Sequence, residues 1–300
     1  MTDGQTAAAG EPVSNRRREE RRHGDRRQRV LRIAAVGDFH CGEEDVGAFR
    51  AHFARVNDEA DVLVLAGDLT RRGTPAEMRV VIGELADVKI PILAVLGNHD
   101  HESGRVEEGL TILRERGVHI LDGEPYELTP QVGFAGVKGF MGGFGRWTLT
   151  AFGEDETKAF VSTTLEEVQR LEFALRRLST PVRVVVMHYS PIQETVMGEP
   201  EQIHPFLGND RLVEPIDRFG AAVVFHGHAH HGTFRGHTPG GVPVFNVSHV
   251  LVKAEGEGEM YFLYDVPLPP PVQPELEADG RSGGDRREAG AATTSARESA

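Results

Sequence analysis

Five short apolar runs, rich in β-branched residues and below helix length, set the strongest constraint on how this chain folds: Leu31 to Val36, Val62 to Ala66, Ile90 to Leu96, Val182 to Met187 and Ala222 to Phe225. A run this short and apolar at nearly every position reads as a strand covered on both faces, since a strand with one wet face alternates. Between the early runs the period changes. Glu43 to Glu59 places Val46, Phe49, Phe53 and Val56 on one helical face, and Pro75 to Ala86 does the same with Met78, Ile82 and Leu85. Strand and helix therefore alternate to about Ile120. That order predicts right-handed parallel βαβ units, whose ligand-binding loops gather at the C-terminal ends of the strands.

Polar clusters follow the runs at those ends. They are Asp38-Phe39-His40, Gly67-Asp68, Gly97-Asn98-His99-Asp100, Met187-His188-Tyr189 and Gly227-His228-Ala229-His230. Together they hold enough carboxylate, imidazole and amide to bind two metal ions. A donor set without thiolate suits borderline and hard ions such as Mn, Fe, Zn or Co.

Taken in order, the five clusters resemble the calcineurin-like metallophosphoesterase family across roughly Arg32 to Tyr264. The resemblance implies an α/β sandwich of two mixed β-sheets flanked by helices. It also implies that Asp38, His40 and His230 hold one metal, that Asn98, His188 and His228 hold a second, and that Asp68 bridges them. No ligand position of the pattern is substituted. A bridging carboxylate sets two ions about 3.5–4 Å apart, where they share a hydroxide and clamp an in-line displacement at phosphorus. Two carboxylates and one hydroxide leave two divalent ions net positive by roughly one charge, which the neutral Asn98 preserves for an anionic substrate. His99 lies beside a ligand and off the metals in the family pattern. The resemblance implies that Asp100 orients it and favours imidazolium, which donates a hydrogen bond to the phosphoryl oxygen or the leaving group.

Gly67-Asp68-Leu69-Thr70 followed by Gly97-Asn98-His99-Asp100 looks more like the small-molecule phosphodiesterase branch than the Ser/Thr protein phosphatases. Those carry Gly-Asp-Tyr-Val-Asp-Arg-Gly and Gly-Asn-His-Glu, and this chain departs from both. The expected activity is hydrolysis of phosphodiester bonds. A phosphomonoesterase or nuclease of the same family, and a hydrolysis-silent interaction protein, are the alternatives.

Around these motifs, Arg71 and Arg72 follow the bridging Asp68 closely enough to pair with phosphate oxygens, or else are solvated. Gly136 to Gly145 carries five glycines with Phe140, Met141 and Phe144 between them, then Arg146 and Trp147, and reads as a lid or stacking surface or as turns of the sheet. Ser162 to Ser179 is a helix with Leu165, Val168, Leu171, Leu175 and Leu178 on its core face. His226 is expected to be structural, His101 to pack behind the ligands or lie exposed, and Cys41 to be a small packing residue.

Composition bounds the remainder. Three hundred residues at 39% apolar sustain one α/β domain, placed at residues 30 to 268, and no apolar run approaches the ~20 residues of a membrane span. The single Cys leaves no internal disulfide and the N-terminus lacks an apolar leader, so a soluble, cytoplasmic protein is expected. Residues 1 to 29, with their arginine run, and residues 269 to 300, with Pro269-Pro270-Pro271, lack apolar periodicity and are expected to be disordered. A net charge of −13 argues against nucleic acid as more than a substrate. The partner expected is a small phosphate ester; oligomeric state is not legible.

Overall fold

In the computed structural model, which describes residues 29–255 and 259–270, the apolar runs are strands packed on both faces. The expectations for residues 1–28 and 271–300 lie outside the described residues. Alternate residues of each run enter different cores. Ile33 and Ala35 of β1 (Val30–Val36) and Val62 and Val64 of β2 (Val62–Ala66) face a core between two sheets, while Ala34, Val36, Leu63 and Leu65 face helices on the outside. The second sheet repeats this. Phe134 of β6 (Val132–Val137) and Val184 and Val186 of β7 (Val182–Met187) enter the shared core, whereas Ala135, Val137, Val185 and Met187 pack outward.

The first sheet has the order β11-β1-β2-β3-β4, completed by β3 (Ile92–Val95), β4 (His119–Ile120) and β11 (Phe262–Pro267). Its strands are parallel except β11, which pairs antiparallel with β1, with a charged Arg32–Asp265 hydrogen-bonded pair across that edge. Helices α1 (Arg50–Glu59), α2 (Pro75–Glu84), α3 (Asn98–His101) and α4 (Val106–Glu115) connect its parallel strands. The second sheet has the order β5-β6-β7-β8-β10-β9, with β5 (Tyr126–Thr129), β8 (Val223–His226), β9 (Arg235–His237) and β10 (Pro243–Asn246). β6, β7, β8 and β10 run parallel, and the two edge strands are antiparallel. Helices α5 (Asp155–Arg177) and α7 (Val213–Arg218) cover its outer face; the single turn α6 (His204–Leu207) lies in the loop before α7, and α8 (His249–Glu255) follows β10. The fold is thus an α/β sandwich of two mixed sheets flanked by helices. Among the described residues no helix is long and apolar enough to cross a membrane.

Three boundaries differ from expectation for physical reasons. α1 begins at Arg50 rather than Glu43, and Val46 is exposed. The Glu84 carboxylate of α2 accepts the N–H groups of Gly47, Phe49 and Arg50, so the start of α1 is capped from a distant helix instead of by its own residues. β3 is confined to four residues of the Ile90 to Leu96 run. α5 starts at Asp155, seven residues before the apolar stripe becomes readable, and Leu165 lies off its buried face.

Phe134 is fully buried in the core between the sheets. Phe134→Ala is expected to cost about 3–5 kcal/mol, because it removes an aromatic ring where two sheets restrict collapse of the cavity. Urea unfolding measures it: the midpoint should fall at unchanged slope, and a loss below about 1 kcal/mol would mean that the sheets close over the gap.

Candidate metal centre

Each candidate ligand sits just past the C-terminal end of a parallel strand: Asp38 and His40 after β1, Asp68 after β2, Asn98 after β3, His188 after β7, and His228 and His230 after β8. Three strands belong to one sheet and two to the other, so the centre lies where both sheets present the same edge. Among the described residues the donor atoms form three groups, Asp38 with His40 and His230, His40 with Asp68 and His99, and Asp68 with His188 and His228, with ligand atoms in each within 4.8 Å of one another, so the middle group shares a residue with each of the other two. Asn98 joins the last through Oδ1, 3.0 Å from His188 Nε2. The structure thus brings the side chains singled out from the sequence as ligands to one edge, with His99 beside His40 and Asp68.

Backbone conformation explains how short loops converge so tightly. Among the described residues the non-glycine positions with positive φ are Asp38, His40, Asp68 and His228, all of them candidate ligands. Such conformations cost of order 1–2 kcal/mol each and persist where surrounding contacts over-determine them. Here the His228 N–H donates to both oxygens of Asp38 at 3.0 and 2.9 Å, and the His99 N–H donates to Asp68 Oδ1 at 2.8 Å. Glycine has a positional role as well. A Cβ on Gly97 would collide with the Asp68 carboxylate, and one on Gly227 with that of Asp38.

Partners of the remaining ring nitrogens fix which nitrogen faces the centre. His188 Nδ1 donates to the Ala66 carbonyl at 3.0 Å, which leaves Nε2 towards Asn98 and towards Asp68 Oδ1 at 3.4 Å. His228 Nε2 donates to the Phe206 carbonyl at 3.2 Å, which leaves Nδ1 for a metal. His40 Nε2 and His230 Nε2 stand 3.3 Å apart, and His230 Nε2 is 3.2 Å from Asp38 Oδ1. Two imidazole nitrogens facing one another beside buried carboxylates are the chemistry of a cation site, and this donor set fits divalent ions.

The electrostatics agree with that reading. Burial disfavours the His188 imidazolium, yet the Asp68 and Asp38 carboxylates outweigh it and hold the His188 pKa at about 9. Burial would raise the Asp68 carboxyl, but the His188 charge and hydrogen bond keep it well below the usual carboxylate range. His228 is pushed down to about 3 by burial and by the His188 charge, so it stands as a neutral ligand at physiological pH. A metal must displace the proton from His188. Apparent metal affinity is therefore expected to rise with pH up to about 9 and then to level, with protons released from His188 and, at the lower end of that range, from His230, whose pKa is raised by its hydrogen bond to Asp38. Calorimetric titration in buffers of different ionisation enthalpy counts the protons, and a pH-independent affinity would contradict it.

One sequence expectation requires correction. Asp100 does not orient His99. Its buried carboxylate accepts the N–H groups of Gly97, Leu69 and Thr70 at 2.9, 3.2 and 2.9 Å and the Thr70 hydroxyl at 2.6 Å, stapling the Asp68 and Asn98 loops together. Burial and the nearby Asp68 charge raise its pKa to about 6. The orienting partner of His99 is the Arg71 carbonyl, which accepts from Nδ1 at 2.7 Å and leaves Nε2 at 4.0 Å from Asp68 Oδ2. A backbone carbonyl carries no side-chain signal, so the sequence does not show it.

The Arg71 guanidinium does not reach for a ligand either. It is paired with Glu44 and, at 3.0 Å, with Asp45. Arg72 remains exposed. In the glycine-rich segment Phe140 packs against Phe160 and Tyr189, and Phe144 is buried with Val196, Leu207 and Ala229. The Tyr189 ring, to which the sequence assigned no role, backs the His228 ring at 4.3 Å. His226 is buried, its ring nitrogens engaged with Thr195 Oγ1 and the Gly227 carbonyl, and burial pushes its pKa down to about 4. His101 is exposed. Cys41 is buried, with its thiol pushed up to about 12 by burial, so it packs and does not ligate.

A two-sheet α/β sandwich that gathers carboxylate, amide and imidazole donors at one sheet edge defines a metal-dependent hydrolase class. The model of the calcineurin-like phosphoesterase family matches residues 31–232, and the chain belongs to that family of metal-dependent phosphoester hydrolases. A probable cyclic nucleotide phosphodiesterase of Fibrobacter succinogenes is 29% identical over 83 residues, a match covering 25% of this chain and 32% of that relative. The chain thus spans about a third of that protein. In structure it is similar to the phosphopantetheinyl hydrolase of Mycobacterium tuberculosis, with a TM-score of 0.56 at 17% identity, over 80% of this chain and 96% of the other. At that identity the likeness concerns the fold.

Proposed function

We propose that the chain hydrolyses phosphodiester bonds at a two-metal centre. The observation that carries this reading is the position of Asp68 between the two donor groups, 3.4 Å from His188 Nε2 of one and 3.9 Å from His40 Nε2 of the other. Asp38, His40 and His230 would hold one ion, Asn98, His188 and His228 the other, and Asp68 would be shared. When bound, two divalent ions such as Mn, Fe or Zn supply Lewis acidity towards the phosphoryl oxygens and a nucleophile drawn from water at neutral pH. The chain does the rest. Asp38 and Asp68 only partly neutralise two divalent charges, so the centre attracts an anionic ester, and the neutral Asn98 preserves that excess. His99, anchored through Nδ1 to the Arg71 carbonyl, turns Nε2 to the centre, where it holds a proton for the leaving oxygen.

Two observations favour a diester over a monoester. Arg71 spends its charge on Glu44 and Asp45, so the loop after Asp68 lacks that guanidinium for a second phosphate charge. The relative from Fibrobacter succinogenes is a probable cyclic nucleotide phosphodiesterase. With metal added back, bis-p-nitrophenyl phosphate is expected to exceed p-nitrophenyl phosphate in kcat/KM by at least about tenfold, the discrimination worth one charge-assisted contact. Cyclic nucleotides and single-stranded DNA complete the screen. The reverse order would make the chain a phosphatase, DNA as the preferred substrate a nuclease, and no hydrolysis with any ion an interaction protein.

A further inference from the structure

Twelve large apolar side chains are exposed among the described residues, and half of them come from two loops: Trp147, Leu149 and Phe152 from one, Met197, Ile203 and Phe206 from the other. Trp147 and Phe152 are 75% and 84% exposed. The two loops are laced into one unit. Gly142 N–H donates to the Pro205 carbonyl at 3.0 Å, Gly143 N–H to Gly208 at 2.9 Å, and the Gly145 N–H and Thr148 hydroxyl to the Asp210 carboxylate. Phe144 anchors the first loop from below against Val196, Leu207 and Ala229. The unit joins the metal centre directly, because the Phe206 carbonyl is the acceptor that orients His228. Exposed apolar surface concentrated in this way marks a binding face, and its continuity with a candidate ligand makes the substrate its natural occupant.

We propose that these laced loops form an apolar platform for a long alkyl or acyl chain on the ester, so that amphiphilic phosphodiesters are the preferred substrates; this rests on the diesterase reading above. Among the described residues the rings of Trp147, Phe152 and Phe206 make no contact with one another or with other rings, so they do not form a stacked slot for one planar base. The charges point the same way. Arg146, whose guanidinium lies 4.5 Å over the Trp147 ring, is the one cation of residues 142–153, and on the other loop Glu199, Glu201 and Asp210 outnumber Arg211, whose guanidinium donates to the Leu149 carbonyl. An anionic lipid surface calls for a cluster of cations, whereas a single chain carried by a monoanionic diester does not.

Alkyl p-nitrophenyl phosphates test this, since methyl, octyl and dodecyl esters share one leaving group and differ only in the chain. In the full-length metal-loaded protein, kcat/KM for the octyl ester should exceed that for the methyl ester by at least about tenfold, as expected for several methylenes leaving water. Trp147→Ser with Phe152→Ser should abolish that preference and leave the methyl ester unchanged, while Trp147→Phe retains it. Trp147 is the sole tryptophan of the chain, so its emission reports on the platform without turnover. Dioctyl phosphate should shift it to the blue in a saturable way. Hydrolysis of the methyl ester with no chain-length preference and no emission shift overturns the platform and leaves the diesterase reading standing. A saturable shift in a protein that hydrolyses none of the esters supports the platform and overturns the diesterase reading.

Discussion

After exhaustive chelation and desalting, the protein is expected to have no measurable activity on bis-p-nitrophenyl phosphate, and added Mn is expected to restore it. No Ser or Cys of the strand-end motifs stands as a nucleophile, and Cys41 is buried with a raised pKa, so the attacking oxygen has to come from water. Asp68 makes the test specific to shared coordination. Its carboxylate lies 3.4 Å from His188 Nε2 and 3.9 Å from His40 Nε2, one imidazole from each donor group. Asp68→Asn should therefore lower the content of both ions and reduce kcat/KM by at least about a hundredfold, the scale at which even residues behind a ligand affect metal sites. Elemental analysis beside kinetics checks both. Turnover that survives chelation, or a fully loaded and active Asp68→Asn protein, would remove the two-metal reading.

His99→Ala should separate chemistry from metal binding. The side chain is about 39% exposed, and its Nε2 stands near the centre without the tight contacts that Asn98 and His188 make. The variant is expected to keep its metals and to lose about 10²–10⁴-fold in kcat for esters of poor leaving groups, the usual worth of a positioned acid, with a smaller loss for p-nitrophenyl esters. Asp100→Asn provides the contrast. A neutral amide there brings an N–H group against a ring of donors, so its effect should fall on stability and on every substrate alike. Loss of metal in His99→Ala would make it a ligand.

The strands and the candidate ligands were legible because both depend on local patterns. Val62 to Ala66 is apolar at every position because both faces are covered, and the polar residues resume where the strand leaves the core. What was not legible depends on distant partners. Glu84 caps α1 across a gap of more than thirty residues, and nothing in Glu43 to Phe49 shows that the helix must wait for it. The first turns of α5 carry no apolar stripe, so their helical state follows from the turns after them. Asp100 was matched to its sequence neighbour, but its four donors include residues some thirty positions earlier. The left-handed backbone at Asp38, His40, Asp68 and His228 was hidden as well, since these residue types adopt it only when tertiary contacts demand it.

Because the two candidate ion sites draw on both sheets, with Asp38, Asp68 and Asn98 from one and His188 and His228 from the other, a filled centre acts as a rivet through the sandwich. Ligand binding to the native state alone adds RT ln(1 + [L]/Kd) to its stability, and here that increment resists the sliding of one sheet against the other. Loading the centre should therefore raise the unfolding midpoint of the sandwich as a whole, both sheets melting together at the higher temperature.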